Sequence, residues 1–221
     1  MNRMMKMDLV TVLSVVSSLL SIGHSLQCVT CVALVGTHCS GHSVTCPDGS
    51  VCGYVHSTTT EALSTKQADV FRRSCIEKDQ CNTTGSLTLA DASVQTTVSC
   101  CNTDNCDPPA LTFPDKNPQK NGKVCRSCVT ANSDWCYTSD TIECSGNETM
   151  CMLQTTKISG IISLQTALRG CATRSLCDYG VHRIEAGGVR ANVEFICTDG
   201  SSKQKAYFSG IFALALLSLF Y

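Results

Sequence analysis

The segment Ser99-Cys100-Cys101-Asn102-Thr103-Asp104-Asn105-Cys106 decides the fold of this chain. Adjacent cysteines do not readily bond to each other, because a disulfide needs Cα atoms about 4.4–6.8 Å apart and converging Cβ vectors. On a strand their side chains point to opposite faces, so Cys100 and Cys101 need different partners. The polar run between Cys101 and Cys106 is typical of a turn. We therefore predict that Cys101 closes a small loop with Cys106, while Cys100 ties the preceding strand into a module.

The composition indicates a secreted disulfide scaffold. The chain has 221 residues and 18 cysteines, whereas aromatic residues make up only 5% of it and tryptophan occurs once. Such a small number of aromatic side chains does not fill two ordinary hydrophobic cores, and small domains commonly need disulfide bonds for stability. The formal net charge of −1 gives no electrostatic reason to expect nucleic acid as a partner.

The amino terminus predicts a signal peptide over residues 1–25. Arg3 and Lys6 precede an apolar run from Leu9 to Ile22, and Gly23-His24-Ser25 places small residues before a cut at Leu26. The alternative is a membrane-spanning helix. The run of 14 residues is short for that, since about 20 are needed.

The opening segment ends a block of ten cysteines that begins Cys28-x2-Cys31 and ends Cys-Cys-x4-Cys. This block resembles the three-finger domain of the lymphocyte antigen six/urokinase receptor (Ly-6/uPAR) family. The resemblance implies an all-β fold of tandem small disulfide-rich, three-finger (snake-toxin-like) domains, the first over residues 26–107. The family usually has Asn after the last cysteine, where this chain has Asp107. The implied bridges of the first domain are Cys28–Cys52, Cys31–Cys39, Cys46–Cys75, Cys81–Cys100 and Cys101–Cys106.

A second module repeats the cysteine skeleton. Residues 108–124 hold four of the five prolines and predict a semi-extended linker. Cys125-x2-Cys128 then restarts the pattern, which predicts a second three-finger domain over residues 125–200. The terminal Cys-Cys-x4-Cys is absent there, and we predict that the end of this module is the looser one. The resemblance implies the bridges Cys125–Cys151, Cys128–Cys136, Cys144–Cys171 and Cys177–Cys197.

A narrower resemblance concerns the segment Arg169-Gly-Cys-Ala-Thr-Arg-Ser-Leu-Cys177. Its spacing, in a chain of two modules with eight cysteines in the second, is similar to the gamma-type phospholipase A2 inhibitor branch of the family. That resemblance implies a secreted phospholipase A2 as a partner.

A hairpin is predicted from Met152 to Leu168, with a tight turn at Ser159-Gly160. Its tip carries Ile158, Ile161 and Ile162, which form a candidate partner-binding patch. The alternative is that these side chains pack on the other module or on a neighbouring finger.

The chain shows no catalytic motif, and we predict that it is not an enzyme. The Cys-x2-Cys pairs are compatible with zinc or redox chemistry. The histidines lack ligand spacing, however, and an oxidising compartment favours disulfides, so no metal or cofactor is expected. Two N-x-[ST] sequons predict glycosylation at Asn82 and Asn147.

The carboxyl terminus predicts a glycosylphosphatidylinositol (GPI) anchor. Small residues around Gly200, a polar spacer from Lys203 to Tyr207 and an apolar tail from Phe208 follow the order of an anchor signal. Gly200 is the predicted attachment residue, and residues 201–221 are removed. The spacer of five residues is shorter than the ~8–12 usual in such signals.

Two functions remain open on this sequence. The first is a GPI-anchored receptor, adhesion or co-receptor protein that binds an extracellular protein at the plasma membrane. The alternative is a secreted inhibitor of phospholipase A2. Urokinase binding is not implied, because the urokinase receptor has three modules and no residue motif transfers to this chain.

Overall fold

The computed structural model describes residues 25–34, 38–62, 66–160, 163–186 and 189–202. The predicted tail beyond Ser202 and all but the last residue of the predicted signal peptide lie outside these ranges. The elements are β1 (Gln27–Ala33), β2 (His42–Thr45), β3 (Ser50–Glu61), β4 (Gln67–Glu77), a 3₁₀ turn (Lys78–Gln80), β5 (Thr84–Thr88), β6 (Ala92–Cys101), β7 (Lys120–Arg126), β8 (Cys128–Ala131), β9 (Thr141–Ser145), β10 (Met150–Ser159), β11 (Leu164–Ala172), α1 (Arg174–Cys177), β12 (Val181–Ala186), β13 (Val189–Thr198) and β14 (Ser201–Ser202). The predicted all-β, disulfide-rich fold is confirmed. Among the described residues, no helix has the length and apolarity needed to cross a membrane.

The chain divides into two compact units whose bounds differ from those of the predicted modules. The first unit contains the residues up to His56, Val70–Thr83 and Val98–Leu111. The second contains Ser57–Asp69, Thr84–Thr97 and the chain from Thr112 onward. Parts of β3, β4 and β6 and all of β5 therefore belong to the second unit, although they lie within the predicted first module.

In the first unit, β1 pairs antiparallel with β2 and with β4. Its centre is a cluster of buried disulfide sulfurs from Cys28, Cys46 and Cys52. The turn after Cys101 is held to β1, because the Gln27 amide donates to Asp104 Oδ1 at 2.9 Å and the Asn105 amide donates to the Gln27 carbonyl at 2.6 Å.

Asp107 has a specific partner in this unit. Arg73 Nη1 lies 3.6 Å from Asp107 Oδ1, and Arg73 Nη2 donates to the Cys106 carbonyl at 2.8 Å. An arginine therefore reaches the carboxylate that stands where the family usually has an asparagine amide.

The second unit is built on β10, which pairs antiparallel with β11 on one side and β13 on the other. Strand β12 extends the sheet beside β13, while β8 and β5 each pair with part of β11. A separate small sheet joins β7 to β9 and to β14. Side chains of β5, the position just after it, β10, β11 and α1 form the apolar core of the unit: Leu87, Leu89, Met152, Ala172 and Leu176.

Two local predictions need correction. Strand β10 pairs with β11 up to Ile158 opposite Leu164, so the connection is longer than the tight turn predicted at Ser159-Gly160. The predicted linker of residues 108–124 also ends early, because β7 begins at Lys120. Gly122 has a φ of 83° within an interruption of the β7–β9 register. Such a bulge lets the strand continue through an Asn-Gly pair that suggests a break in the sequence.

Candidate protein-binding surface

All eighteen cysteines are paired in the structure. The nine bridges are Cys28–Cys52, Cys31–Cys39, Cys46–Cys75, Cys81–Cys100, Cys101–Cys106, Cys125–Cys151, Cys128–Cys136, Cys144–Cys171 and Cys177–Cys197. These are the pairs that the family resemblance implies. Cys125, Cys144 and Cys171 bring their sulfurs within 4.8 Å of one another, but each of these sulfurs is in a bridge. A zinc-binding thiolate is therefore unavailable in this cluster.

One face of the β10 sheet exposes an apolar row beside a cation. Leu153 on β10 lies directly opposite Ile196 on β13 and Arg169 on β11. Directly opposed residues on neighbouring strands point to the same face. Leu153 is buried, whereas Ile196 is 44% exposed.

The single tryptophan lies over this row. Arg169 places its guanidinium carbon 4.3 Å from the ring centroid of Trp135, which is a cation–π contact. The Cys128–Cys136 bridge and a hydrogen bond from the Trp135 amide to Ser133 Oγ at 3.1 Å fix the loop that carries the ring. Trp135 is 43% exposed, so one part of the indole is buried and the rest faces solvent.

A second aromatic ring adjoins the tryptophan. The Tyr137 ring centroid lies 5.8 Å from that of Trp135, and the tyrosine is 89% exposed. Surface Trp, Tyr and Arg side chains are the types most enriched among the energetically important residues of protein interfaces. We call Trp135, Tyr137, Leu153, Arg169 and Ile196 the aromatic–arginine patch.

The patch borders a cavity of about 320 Å³. Its lining carries two positive charges, Arg126 and Arg169, and no carboxylate. Arg126 Nη1 donates to the Thr138 carbonyl, while the buried Arg169 Nε has no hydrogen-bond partner among the described residues. The cavity therefore combines apolar walls with two positively charged side chains.

A buried carboxyl lies elsewhere in the second unit, at Glu148. It is only 6% exposed, and its Oε1 accepts hydrogen bonds from Ser86 Oγ at 2.8 Å and Thr88 Oγ1 at 2.9 Å. The buried Oε2 has no partner among the described residues. Burial raises the pKa of this carboxyl above its ordinary value of 4.5, while these hydrogen bonds and the charges of Lys116 and Lys120 act in the opposite direction.

The predicted finger tip is described only in part. Ile158 is half-buried near the end of β10, where it lies opposite Leu164 and Ala191. Ile161 and Ile162 lie outside the described residues. The structure thus places Ile158 on the same strand as Leu153 but five positions along it, away from the aromatic–arginine patch.

The sequence profile of the u-PAR/Ly-6 domain matches residues 24–109 and 121–203, which together make up most of the chain. The chain belongs to the u-PAR/Ly-6 domain family. Two of its similar relatives are snake proteins. A phospholipase A2 inhibitor named NAI from Notechis ater is 28% identical over 83% of this chain and 92% of its own length. A phospholipase A2 inhibitor 25 kDa subunit from Naja kaouthia is 26% identical over 78% of this chain and 94% of its own length.

This u-PAR/Ly-6 protein also matches a receptor over a shorter stretch. The urokinase plasminogen activator surface receptor of Aotus trivirgatus is 35% identical over 37% of this chain and 24% of the receptor. Inhibitors and receptors of this family are non-enzymatic binding proteins that act outside the cell. This family member is therefore an extracellular, non-enzymatic protein whose partners are proteins.

The remaining predicted sites of this u-PAR/Ly-6 protein lie at the surface. Asn82 and Asn147 are both exposed, Asn82 with a φ of 57°. Gly200 is exposed with a φ of 64° and directly precedes β14. A Cβ at Gly200 would lie 2.6 Å from Cys151 Sγ, so glycine is required there for both reasons.

Sequence reasoning did not find the aromatic–arginine patch of this family member. Its residues come from β10, β11, β13, the loop within the Cys128–Cys136 bridge and the position directly after Cys136, and only strand pairing brings them together. The single tryptophan could have indicated this patch, because it lies in a short polar loop, where a hydrophobic core does not account for a large aromatic side chain.

Proposed function

We propose that this protein is a GPI-anchored receptor, adhesion or co-receptor protein that binds an extracellular protein at the outer face of the plasma membrane. In this proposal the signal peptide of residues 1–25 is removed, Gly200 carries the lipid and residues 201–221 are lost. The two binding modules are residues 26–107 and 125–200, and Asn82 and Asn147 carry glycans.

The aromatic–arginine patch carries the protein-binding part of the proposal. Trp135 and Tyr137 are rigid, amphipathic rings that lose little conformational entropy on binding, and Trp135 is already held by Arg169 and by a disulfide-closed loop. Ile158 at the predicted finger tip remains a second candidate contact.

The anchor is supported by the order of small residues, polar spacer and apolar tail after Asp199. A circulating protein has no use for such a tail.

A second candidate is a secreted inhibitor that binds phospholipase A2. Its support is the similarity to phospholipase A2 inhibitors over nearly their whole length. The two candidates differ in location and in partner, so each difference can be measured separately.

The test is surface release from cells that express the full chain. Treatment with phosphatidylinositol-specific phospholipase C should move the surface signal into the medium if the protein is GPI-anchored. Protein already in untreated medium would instead support the secreted inhibitor, and binding to secreted phospholipase A2 then becomes the deciding assay. Protein that stays on treated cells would contradict the proposed anchor. A chain that ends at Ser202, and so lacks the polar spacer and the apolar tail, serves as the control and should be found in the medium without treatment.

A further inference from the structure

We propose that the cavity beside the aromatic–arginine patch is a docking site for a loop of the partner protein that presents an Asp or Glu next to an apolar side chain. The proposal rests on the protein-binding function above and adds the chemistry of the partner.

The charge of the site requires an acidic partner. Arg126 and Arg169 line the cavity, and none of the described residues in its lining carries a carboxylate. Two acidic groups of the same unit are engaged elsewhere: Asp134 pairs with Lys157 at 2.7 Å, and Asp199 lies 3.7 Å from Arg174. A carboxylate from a partner would complement the two arginines that line the cavity, and a complementary charge increases both association rate and specificity.

The stacking of Arg169 on Trp135 holds its guanidinium group in one orientation. Its guanidinium is stacked on Trp135, which immobilises the group, and its buried Nε has no hydrogen-bond partner in the part of the chain that the structure describes. A planar guanidinium that is already ordered loses less entropy when it binds a carboxylate than a free surface side chain does. The stacked arginine is therefore prepared for charge-assisted hydrogen bonds.

The walls require an apolar group beside the carboxylate. Leu153, Ile196 and the buried part of Trp135 supply apolar surface to the cavity. A volume of about 320 Å³ lies at the small end of the ~300–1,000 Å³ usual for ligand pockets, so a few side chains of a loop fill it. The exposed Tyr137 beside Trp135 extends the contact area beyond the cavity, which suits a protein surface better than a small molecule.

The lone tryptophan supplies the readout. Because Trp135 is the single tryptophan of the chain, its fluorescence and its quenching by iodide report occupancy of this site. A phage-displayed random peptide library is selected on the glycosylated, purified extracellular protein. Enriched peptides are then synthesised and titrated while Trp135 fluorescence is followed.

One double variant and a matched control decide the outcome. Enriched peptides should carry Asp or Glu beside an apolar residue, shield Trp135 from iodide, and bind the Arg126→Gln/Arg169→Gln variant at least about tenfold more weakly. Arg174→Gln removes an exposed arginine that does not line this cavity, and it should change the affinity less than about twofold. Circular dichroism of all variants checks that the fold is retained.

Four results would overturn the proposal. Peptides without acidic enrichment, or peptides that bind the double variant as well as the wild type, place protein binding elsewhere on the molecule and leave the protein-binding function standing. Displacement of the peptides by laurate in a manner lost in the double variant would make the cavity a site for a small amphiphile. A library that yields no binder at all would count against both this site and the protein-binding function.

Discussion

Leu87 on β5 lies directly opposite Ala172 on β11, and both are buried in one apolar core. Leu87 belongs to the predicted first module, while Ala172 belongs to the predicted second. The same core contains Met152 and Leu176. The second compact unit therefore uses a hairpin of the first module, β5 with β6, as part of its own interior.

Truncation of Leu87 should destabilise the second unit. Leu87 is only 2% exposed, so Leu87→Ala removes buried methyl groups and leaves a cavity, at a cost of about 2–5 kcal/mol in the free energy of unfolding. Urea unfolding followed by Trp135 fluorescence should show a lower midpoint, because this probe lies in the second unit. Val129→Ala, at a side chain that is 60% exposed, should change the free energy by less than about 0.5 kcal/mol. Equal midpoints for Leu87→Ala and wild type would show that the hairpin does not support this unit.

Protonation of Glu148 should stabilise the fold. Its native pKa is raised by burial, so the native state binds the proton more tightly than the unfolded chain does. The resulting contribution to stability is fully present below about pH 4.5 and is lost as the pH rises through the native pKa. Relative to Glu148→Gln, which resembles the neutral acid, the wild type should therefore lose stability as the pH rises from about 4.5 to about 8.

The measurement for Glu148 is the urea midpoint of both proteins at several pH values. The difference between them should be largest at the alkaline end and should shrink on acidification. Asp140→Asn alters an exposed carboxyl and should show no such trend. A difference between wild type and Glu148→Gln that is constant with pH would contradict the prediction.

The two module ends should differ in hydrogen exchange. The first module ends in the loop that the Cys101–Cys106 bridge closes, where the Asn105 amide donates a hydrogen bond to the Gln27 carbonyl. The chain of the second module is held after Cys197 by two contacts. The two residues of β14 pair with β7, and Lys123 Nζ donates a hydrogen bond to the Asp199 carbonyl. Exchange of the amides at Asp199 and Gly200 should be faster than at Asn105. Equal protection of the two ends, measured by mass spectrometry, would refute the expected loosening.

Both sequons should be used in a mammalian secretory host. Asn82 and Asn147 are exposed, which leaves room for the transferred glycan. Asn82→Gln and Asn147→Gln should each reduce the mass by one glycan, and the double variant should show no mass change on treatment with peptide N-glycosidase. A wild-type mass that the enzyme leaves unchanged would rule out both sites.

The bridges and the fold class could be predicted because the cysteine pattern resembles that of the Ly-6/uPAR family, which implies both. Geometry excludes only a bond between the adjacent Cys100 and Cys101 and favours the Cys101–Cys106 loop, while the family resemblance implies the other bridges. The sequence shows an Asp at position 107, but it does not show the ion pair of this residue with Arg73. Arg73 lies on β4, which comes close to the Cys101–Cys106 loop only in the folded unit.

The candidate site depended on strand register, which the local pattern does not specify. Trp135 meets Arg169 because β8 pairs with β11 and a disulfide returns the chain from Cys128 to Cys136. The β8–β11 pairing connects residues that are distant in the sequence, whereas the bridge spans only eight positions. The sequence did not predict the buried carboxyl of Glu148 either. The hydroxyl groups that donate hydrogen bonds to it belong to Ser86 and Thr88 on β5, which are distant in the sequence.

The absence of a side chain at Gly170 bears on how such proteins can be recombined. A Cβ there would lie 2.3 Å from the Thr88 carbonyl, so β11 accepts β5 only with glycine at this position. A chimera that joins the second module to the first module of a relative would have to match both this glycine and the apolar side chains around Leu87. In the sequence, each block of cysteines looks like a module that could be replaced by that of a relative. The packing of β5 in the core of the second unit means that a cut in the proline-rich linker would separate residues that share one core.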